Sequence, residues 1–93
     1  MHFVIQCVDK PGAIEIRKNN REAHLDHLGR HADQVIAAGP TLDDKGETMT
    51  GSVLVMSFPD MASAEAFCAD DPYAKAGLFE RVTITPWRKV FPK

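Results

Sequence analysis

The chain has 93 residues, of which 44% are hydrophobic and 26% charged, and 11 Lys and Arg against 13 Asp and Glu leave a formal net charge of −2. This composition excludes the low-hydrophobicity, high-charge mixture of disordered chains, and the length is read as one domain over residues 1–93. No basic stripe with interleaved aromatics is present, and Arg88, Lys89 and Lys93 are too small a cluster to argue for nucleic-acid binding.

Residues 2–9 predict a strand, with Phe3, Ile5 and Cys7 on one face and Val4, Gln6 and Val8 on the other, closed by Pro11-Gly12. Its apolar run is too short for a membrane span and lacks the layout of a signal peptide, so no membrane partner is expected. A helix is predicted from Ala13 to the mid-thirties. Leu25, Leu28, Ala32 and Val35 recur at spacings of 3, 4 and 3 and define its inward face. The stretch Arg17–Arg21 is less regular and is expected near solvent. A second extended segment follows Gly39-Pro40 as far as Leu42, and Asp43–Glu47 forms a charged loop with a Lys-Gly turn.

The third strand centres on Val53–Phe58 and ends at Pro59, again with apolar residues on both faces. Asp60 is a suitable N-cap for a second helix that carries Ala64, Phe67 and Cys68 inward. Pro72 makes Asp71 a boundary residue, because the residue before proline disfavours the helical region. A short turn through Tyr73 and Ala76 then ends at Gly77. Residues 79–89 form a fourth strand, with Phe79, Arg81, Thr83, Thr85 and Trp87 on one face and Val82 and Ile84 on the other.

The order βαββαβ predicts an α+β, ferredoxin-like fold: an antiparallel sheet with two helices on one face. Two helices cover only one face, yet Val4, Val8, Val53 and Val55 leave apolar side chains on the opposite one. A homodimer or higher homo-oligomer, pairing sheet on sheet, is the expected solution; a monomer with a patchy apolar surface is the alternative.

His24, His27 and His31 share helical spacing, but neither an HExxH arrangement nor a cysteine ligand motif accompanies them, so no metal is expected. His27 and His31 are expected to face solvent. His24 borders the apolar stripe and suits a general acid or base; a partly buried histidine satisfied by the backbone is the competing reading. Asp71 continues the buried side of the second helix and requires a partner to offset its desolvation. Its bland role is a hydrogen bond at the helix end, while Asp70 is expected in solvent. Walker, GxGxxG and nucleophile-elbow motifs are absent, so no cofactor is expected. Cys7 and Cys68 are read as reduced thiols and the protein as cytoplasmic.

The segments "FVIQCVDKPGA", "REAHLDHL", "AAGP", "GSVLVMSF" and "ADDPYAKAGLFERVTITPWRKVF", in this order over residues 2–91, resemble the YCII-related family. That resemblance implies a dimeric α+β barrel with a histidine–aspartate pair in a pocket, carried here by His24 of "AHL" and Asp71 of "DPY". Arg17, Gly39, Pro40, Ser52 and Tyr73 fall in family-like segments and are expected to shape or line that pocket. Glu22 stands where the family often has proline, a departure at the helix start or pocket rim. The implied activity is cofactor-independent proton transfer on a small cyclic or aromatic compound, as in an isomerase, lyase or dehydrochlorinase. A noncatalytic small-molecule-binding homodimer is the alternative, and a purely structural homodimer a third possibility.

Overall fold

The computed structural model covers residues Met1–Lys93. In chain order it contains β1 (His2–Asp9), α1 (Ile14–Arg30), a 3-10 turn (Ala32–Gln34), β2 (Val35–Leu42), β3 (Met49–Ser57), α2 (Met61–Ala69), the one-turn helix α3 (Pro72–Lys75) and β4 (Phe79–Trp87). The strands form one sheet in the order β2-β3-β1-β4, with every neighbouring pair antiparallel. This is the ferredoxin-like α+β arrangement, with a short third helix added to the two expected. No helix is long and apolar enough to cross a membrane.

Alternation along the central strands sorts their side chains. Phe3, Ile5 and Cys7 of β1 stand opposite Met56, Leu54 and Ser52 of β3, and all six are buried on the helix-covered face. Phe58, Ala64 and Phe67 complete this core from the end of β3 and from α2. On the other face Val4, Val8, Val53 and Val55 are only half-buried, because no element of the chain covers them. Asp60 caps α2 by accepting a 2.8 Å hydrogen bond from the Ser63 amide.

Several expectations change. The first helix stops at Arg30, and Val35 begins β2, opposite Met56, instead of ending the helix. β-Branched Val35 and Ile36 fit a pleated strand better than a helix end. Leu25, expected inward, is 50% exposed, whereas the buried residues of α1 are Arg17, His24 and His27. The helix is continuous through Arg17–Arg21 and past Glu22, and its inner face sets Arg17, His24 and His27 beside Ile16 and Leu28, which pack against the apolar clusters. Phe79 packs against the core, not beside Arg81, because the β1–β4 register shifts between Val8 and Asp9. Val8 pairs with Arg81 and Asp9 with Phe79, so Glu80 is the extra residue of a bulge that returns Phe79 to the helix side. The fourth strand ends at Trp87, two residues earlier than expected.

At Gly51 the backbone of β1 leaves no room for a side chain on β3. A Cβ there would overlap the Cys7 carbonyl oxygen, which is backbone and cannot swing aside. Gly51→Ala is expected to destabilise the protein by about 1–3 kcal/mol, the usual range for overpacking a well-filled site. A lowered urea midpoint at unchanged slope would register this loss.

Candidate functional site

The site is assembled around the two-residue connection between α2 and α3. Pro72 occupies the first position of α3 and holds Asp71 extended, at φ −63° and ψ 125°. There Asp71 Oδ1 accepts a 2.9 Å hydrogen bond from the Tyr73 amide and caps the helix. The same oxygen lies 2.9 Å from His24 Nδ1 on α1, 47 residues earlier in the chain. Asp71 is 4% exposed and His24 7%. Burying this carboxylate is costly, and the two donors on Oδ1 offset that cost.

Tyr73 is fixed from both ends. Gly77, at φ +75°, lets the chain close α3 in a Schellman arrangement: Leu78 N–H donates to the Tyr73 carbonyl at 3.1 Å and Gly77 N–H to that of Ala74, also at 3.1 Å. Leu78 and Tyr73, both buried, supply the hydrophobic contact that accompanies this motif. The Tyr73 ring stacks on His24 with centroids 4.0 Å apart and planes at 16°. Its environment pushes the phenol pKa up, chiefly through burial, against the opposing charges of Arg17 and Arg21.

Arg17 lies over the same ring, its guanidinium carbon 4.7 Å from the centroid. Nε and Nη2 donate to the two carboxylate oxygens of Asp9, at 2.7 and 2.9 Å, and Nη2 also donates to Ser52 Oγ at 3.0 Å. Burial opposes its charge, but the Asp9 hydrogen bonds and charge outweigh that and push the Arg17 pKa up. At 2% exposure Arg17 is a buried cation held between β1 and β3, not the solvent-facing residue expected.

These residues border a cavity of about 220 Å³ between α1 and the β2–β3 side of the sheet. Arg17, Arg21, His24, Leu25 and Leu28 of α1 form one wall. Ala38, Gly39 and Pro40 of β2, with Met49, Ser52 and Leu54 of β3, form the other, and Tyr73 also lines the space. The cavity exists because Ala38-Gly39-Pro40 offers no large side chain to fill the gap under the helix. Asp71 is not in the wall; it lies behind the imidazole. His24 Nε2 has no partner within the chain, and no buried side-chain nitrogen or oxygen is left unpartnered, so this nitrogen is accessible at the cavity. With Asp71 accepting from Nδ1–H, Nε2 carries the free lone pair.

Sequence reasoning missed Asp9 and Arg21. Arg21 lies four residues after Arg17 and three before His24, a helical spacing that places all three on neighbouring positions of one face. Asp9, at the end of a strand whose alternate residues point inward, gave a weaker signal. His27 also differs from the expectation of a solvent-facing residue. It is 2% exposed, with Nε2 3.1 Å from the Phe67 carbonyl and its ring stacked on Phe67 at 4.4 Å. His31 is half-buried, with Nδ1 2.8 Å from Gln34 Oε1. The three helical histidines therefore have three different partners. Burial, with the charge on neighbouring Asp71, pushes the thiol pKa values up, to about 12 for Cys7, where Cys68 also contributes, and about 11 for Cys68. Both cysteines are free, and neither supplies a thiolate nucleophile at neutral pH.

Sheet order, antiparallel pairing and helices confined to one face make this a ferredoxin-like α+β protein. Its sequence places it more narrowly: residues 1–88 match the YCII-related domain, and the chain belongs to that family. It is 35% identical to protein YciI of Escherichia coli O6:H1, over 98% of this chain and 100% of that protein. A Haemophilus influenzae protein is 34% identical over the same shares. Among solved structures, 5-chloro-2-hydroxyhydroquinone dehydrochlorinase (TftG) from Burkholderia phenoliruptrix AC1100, in complex with 2,5-dihydroxybenzoquinone, superposes with a TM-score of 0.88. The two share 36% sequence identity, over 95% of this chain and 94% of that one.

The burial of His27 has a consequence for stability. Burial lowers its pKa from the ordinary value of 6.5, and the positive charges of His31 and Arg30 reinforce this against the opposing effects of the Phe67 carbonyl and Asp71. The unfolded chain therefore takes up this proton at a higher pH than the folded one. The contribution of His27 is fully present above pH 6.5 and declines as pH falls through the window down to the lowered folded value. Urea midpoints measured from pH 7.5 to 5 should fall with acidification. His27→Gln, less stable at neutral pH, should show a shallower decline.

Proposed function

We propose that the protein is a cofactor-independent small-molecule enzyme in which His24 transfers a proton and Asp71 orients and charge-stabilises it. The observation that carries this reading is the 2.9 Å contact between His24 Nδ1 and buried Asp71, with Nε2 left accessible at a cavity. Asp71 selects the tautomer with the proton on Nδ1, which makes Nε2 the base. A proton taken by Nε2 leaves its electron pair on the substrate. That pair either shifts within the substrate, which then recovers the proton at another atom, or expels a leaving group. The first outcome is isomerisation and the second elimination; both proceed through an imidazolium facing the Asp71 carboxylate.

The cavity supports a substrate of one ring. An engineered apolar cavity of about 150 Å³ holds one benzene, and a space of about 220 Å³ leaves room for ring substituents. Leu25, Leu28 and Leu54 offer apolar contact, while Ser52, Arg17 and His24 offer polar groups. The likeness to a dehydrochlorinase holding a dihydroxybenzoquinone agrees with this class of compound. Arg17, Gly39, Pro40, Ser52 and Tyr73 act in this reading as the frame of the pocket.

We also propose that the working form is a homodimer, with the face carrying Val4, Val8, Val53 and Val55 as the mutual surface. Val53→Glu should convert it to a monomer in light scattering, and an unchanged mass would remove this interface.

Catalysis is tested by screening hydroxylated aromatics and small lactones for turnover by ultraviolet absorbance. For a compound that reacts, His24→Ala is expected to lower kcat by about 10²–10⁴-fold, the range for losing a general base. Asp71→Asn keeps an oxygen to accept from Tyr73 N–H but removes the charge, and should lower kcat with little change in KM. Binding without turnover across the screen would favour a noncatalytic ligand-binding module. Turnover unchanged in both variants would remove the dyad from the chemistry.

A further inference from the structure

We infer that the cavity selects a ring compound bearing an anionic oxygen, and that Arg21 is the specificity-determining residue that reads this charge. The inference rests on the small-molecule reading above and narrows it. Two guanidinium groups line the cavity and no carboxylate does. They are not equivalent. Arg17 is committed to both oxygens of Asp9 and to Ser52, so its charge is balanced within the protein.

Arg21 has no such partner. The ion pairs of the molecule are Arg17–Asp9 and Lys75–Asp70, His24 is hydrogen-bonded to Asp71, and Arg21 makes no side-chain hydrogen bond. It is exposed, one helical turn from Arg17 and on the same cavity wall as His24. It is close enough to Tyr73 for its charge to act on the phenol. A ligand ring against Leu25, Leu28 and Leu54 would therefore have His24 Nε2 and an uncompensated guanidinium within the same small space. Arg21 donors suit an oxygen that carries charge, either an ionised ring hydroxyl or a ring carboxylate.

Proton transfer adds to the need for this cation. When Nε2 takes a proton, the imidazolium is matched by Asp71, and the ligand is left with one more negative charge than before. Arg17 is already paired, so Arg21 is the lining cation available to that charge.

The test uses two probes of similar size on the full-length protein: 2,5-dihydroxybenzoquinone, which is ionised at neutral pH, and hydroquinone, which is neutral there. Affinities are measured by calorimetry for the parent protein, Arg21→Gln and Arg21→Lys, with thermal melts to verify that the exposed substitutions leave the fold intact. The expected result is a loss of about tenfold for the ionised probe in Arg21→Gln, the scale of one hydrogen bond to a charged group. Hydroquinone affinity should stay unchanged, and Arg21→Lys should retain most of the affinity for the ionised probe. Equal affinity of parent and Arg21→Gln for the ionised probe would overturn the role of Arg21 while leaving the cavity as a binding site. An equal loss for both probes would also overturn it, by showing a general effect on the cavity. Binding of neither probe by the parent protein would overturn the small-molecule reading, and this inference with it.

Discussion

The arrangement of this protein depends on a single buried carboxylate oxygen. Asp71 Oδ1 accepts from the Tyr73 amide and faces His24 Nδ1, both at 2.9 Å, so one atom caps α3 and fastens α1 to it. From there contacts run without a gap: His24 stacks on Tyr73, Arg17 lies over the same ring, and Arg17 grips Asp9 at the end of β1 and Ser52 on β3. This cluster thus ties the first helix to the α2–α3 connection and to the two central strands, and His27 adds a tie to the Phe67 carbonyl of α2. Residues far apart in sequence become one polar cluster whose members limit one another's rotamers. An imidazole held in this way has little freedom left to lose when a ligand arrives, which is what the proposed proton transfer requires.

Apolar packing is concentrated around α2, whereas most of the buried ionisable groups gather where α1 meets α3 and the central strands. Phe58, Ala64 and Phe67 pack with Phe3, Ile5, Leu54 and Met56 into an apolar core. Here burial of hydrocarbon is the main stabilising effect, at roughly 25 cal/mol per Å². The inner face of α1 is different, since its buried residues are Arg17, His24 and His27. Each needs a specific partner, and each has one. Where the apolar filling ends, the small residues of β2 leave a cavity in place of a continued core. The protein forgoes hydrophobic burial at the place where it keeps ionisable groups, a pattern expected where local rules of stability yield to a site.

That division explains what could be read from the sequence. β1, β3, the Asp60 cap and the Pro72 boundary depend on local alternation, side-chain capping and proline geometry, so they were legible residue by residue. The inner face of α1 was not, because periodicity arguments assign apolar residues inward, and here Leu25 is half-exposed while Arg17 and His27 are buried. No rule based on hydropathy can find an arginine whose burial is made possible by an aspartate on another element. The turn of Phe79 toward the core was hidden for a different reason. It follows from a bulge at Glu80, and a bulge is a property of two paired strands, not of the fourth strand's own alternation. His24 and Asp71 were individually plausible as buried polar residues, but the reason to pair them across 47 positions came from the resemblance to a family.

The two faces of the sheet are linked through β3. Ser52 and Leu54 face the cavity, while Val53 and Val55 alternate with them on the uncovered side. Gly51, beside Ser52, brings β3 so close to the Cys7 carbonyl that the strand has little room to shift there. Ser52 in turn bonds Arg17, whose guanidinium lies over the ring on which His24 stacks. Any partner sheet that ordered Val53 and Val55 would therefore restrain the backbone that carries Ser52 and Leu54. Alternation along one strand is enough to connect the outer surface with the position of His24, and no movement of a helix is required. The apolar outer face and the polar inner site are best understood as two sides of the same strand.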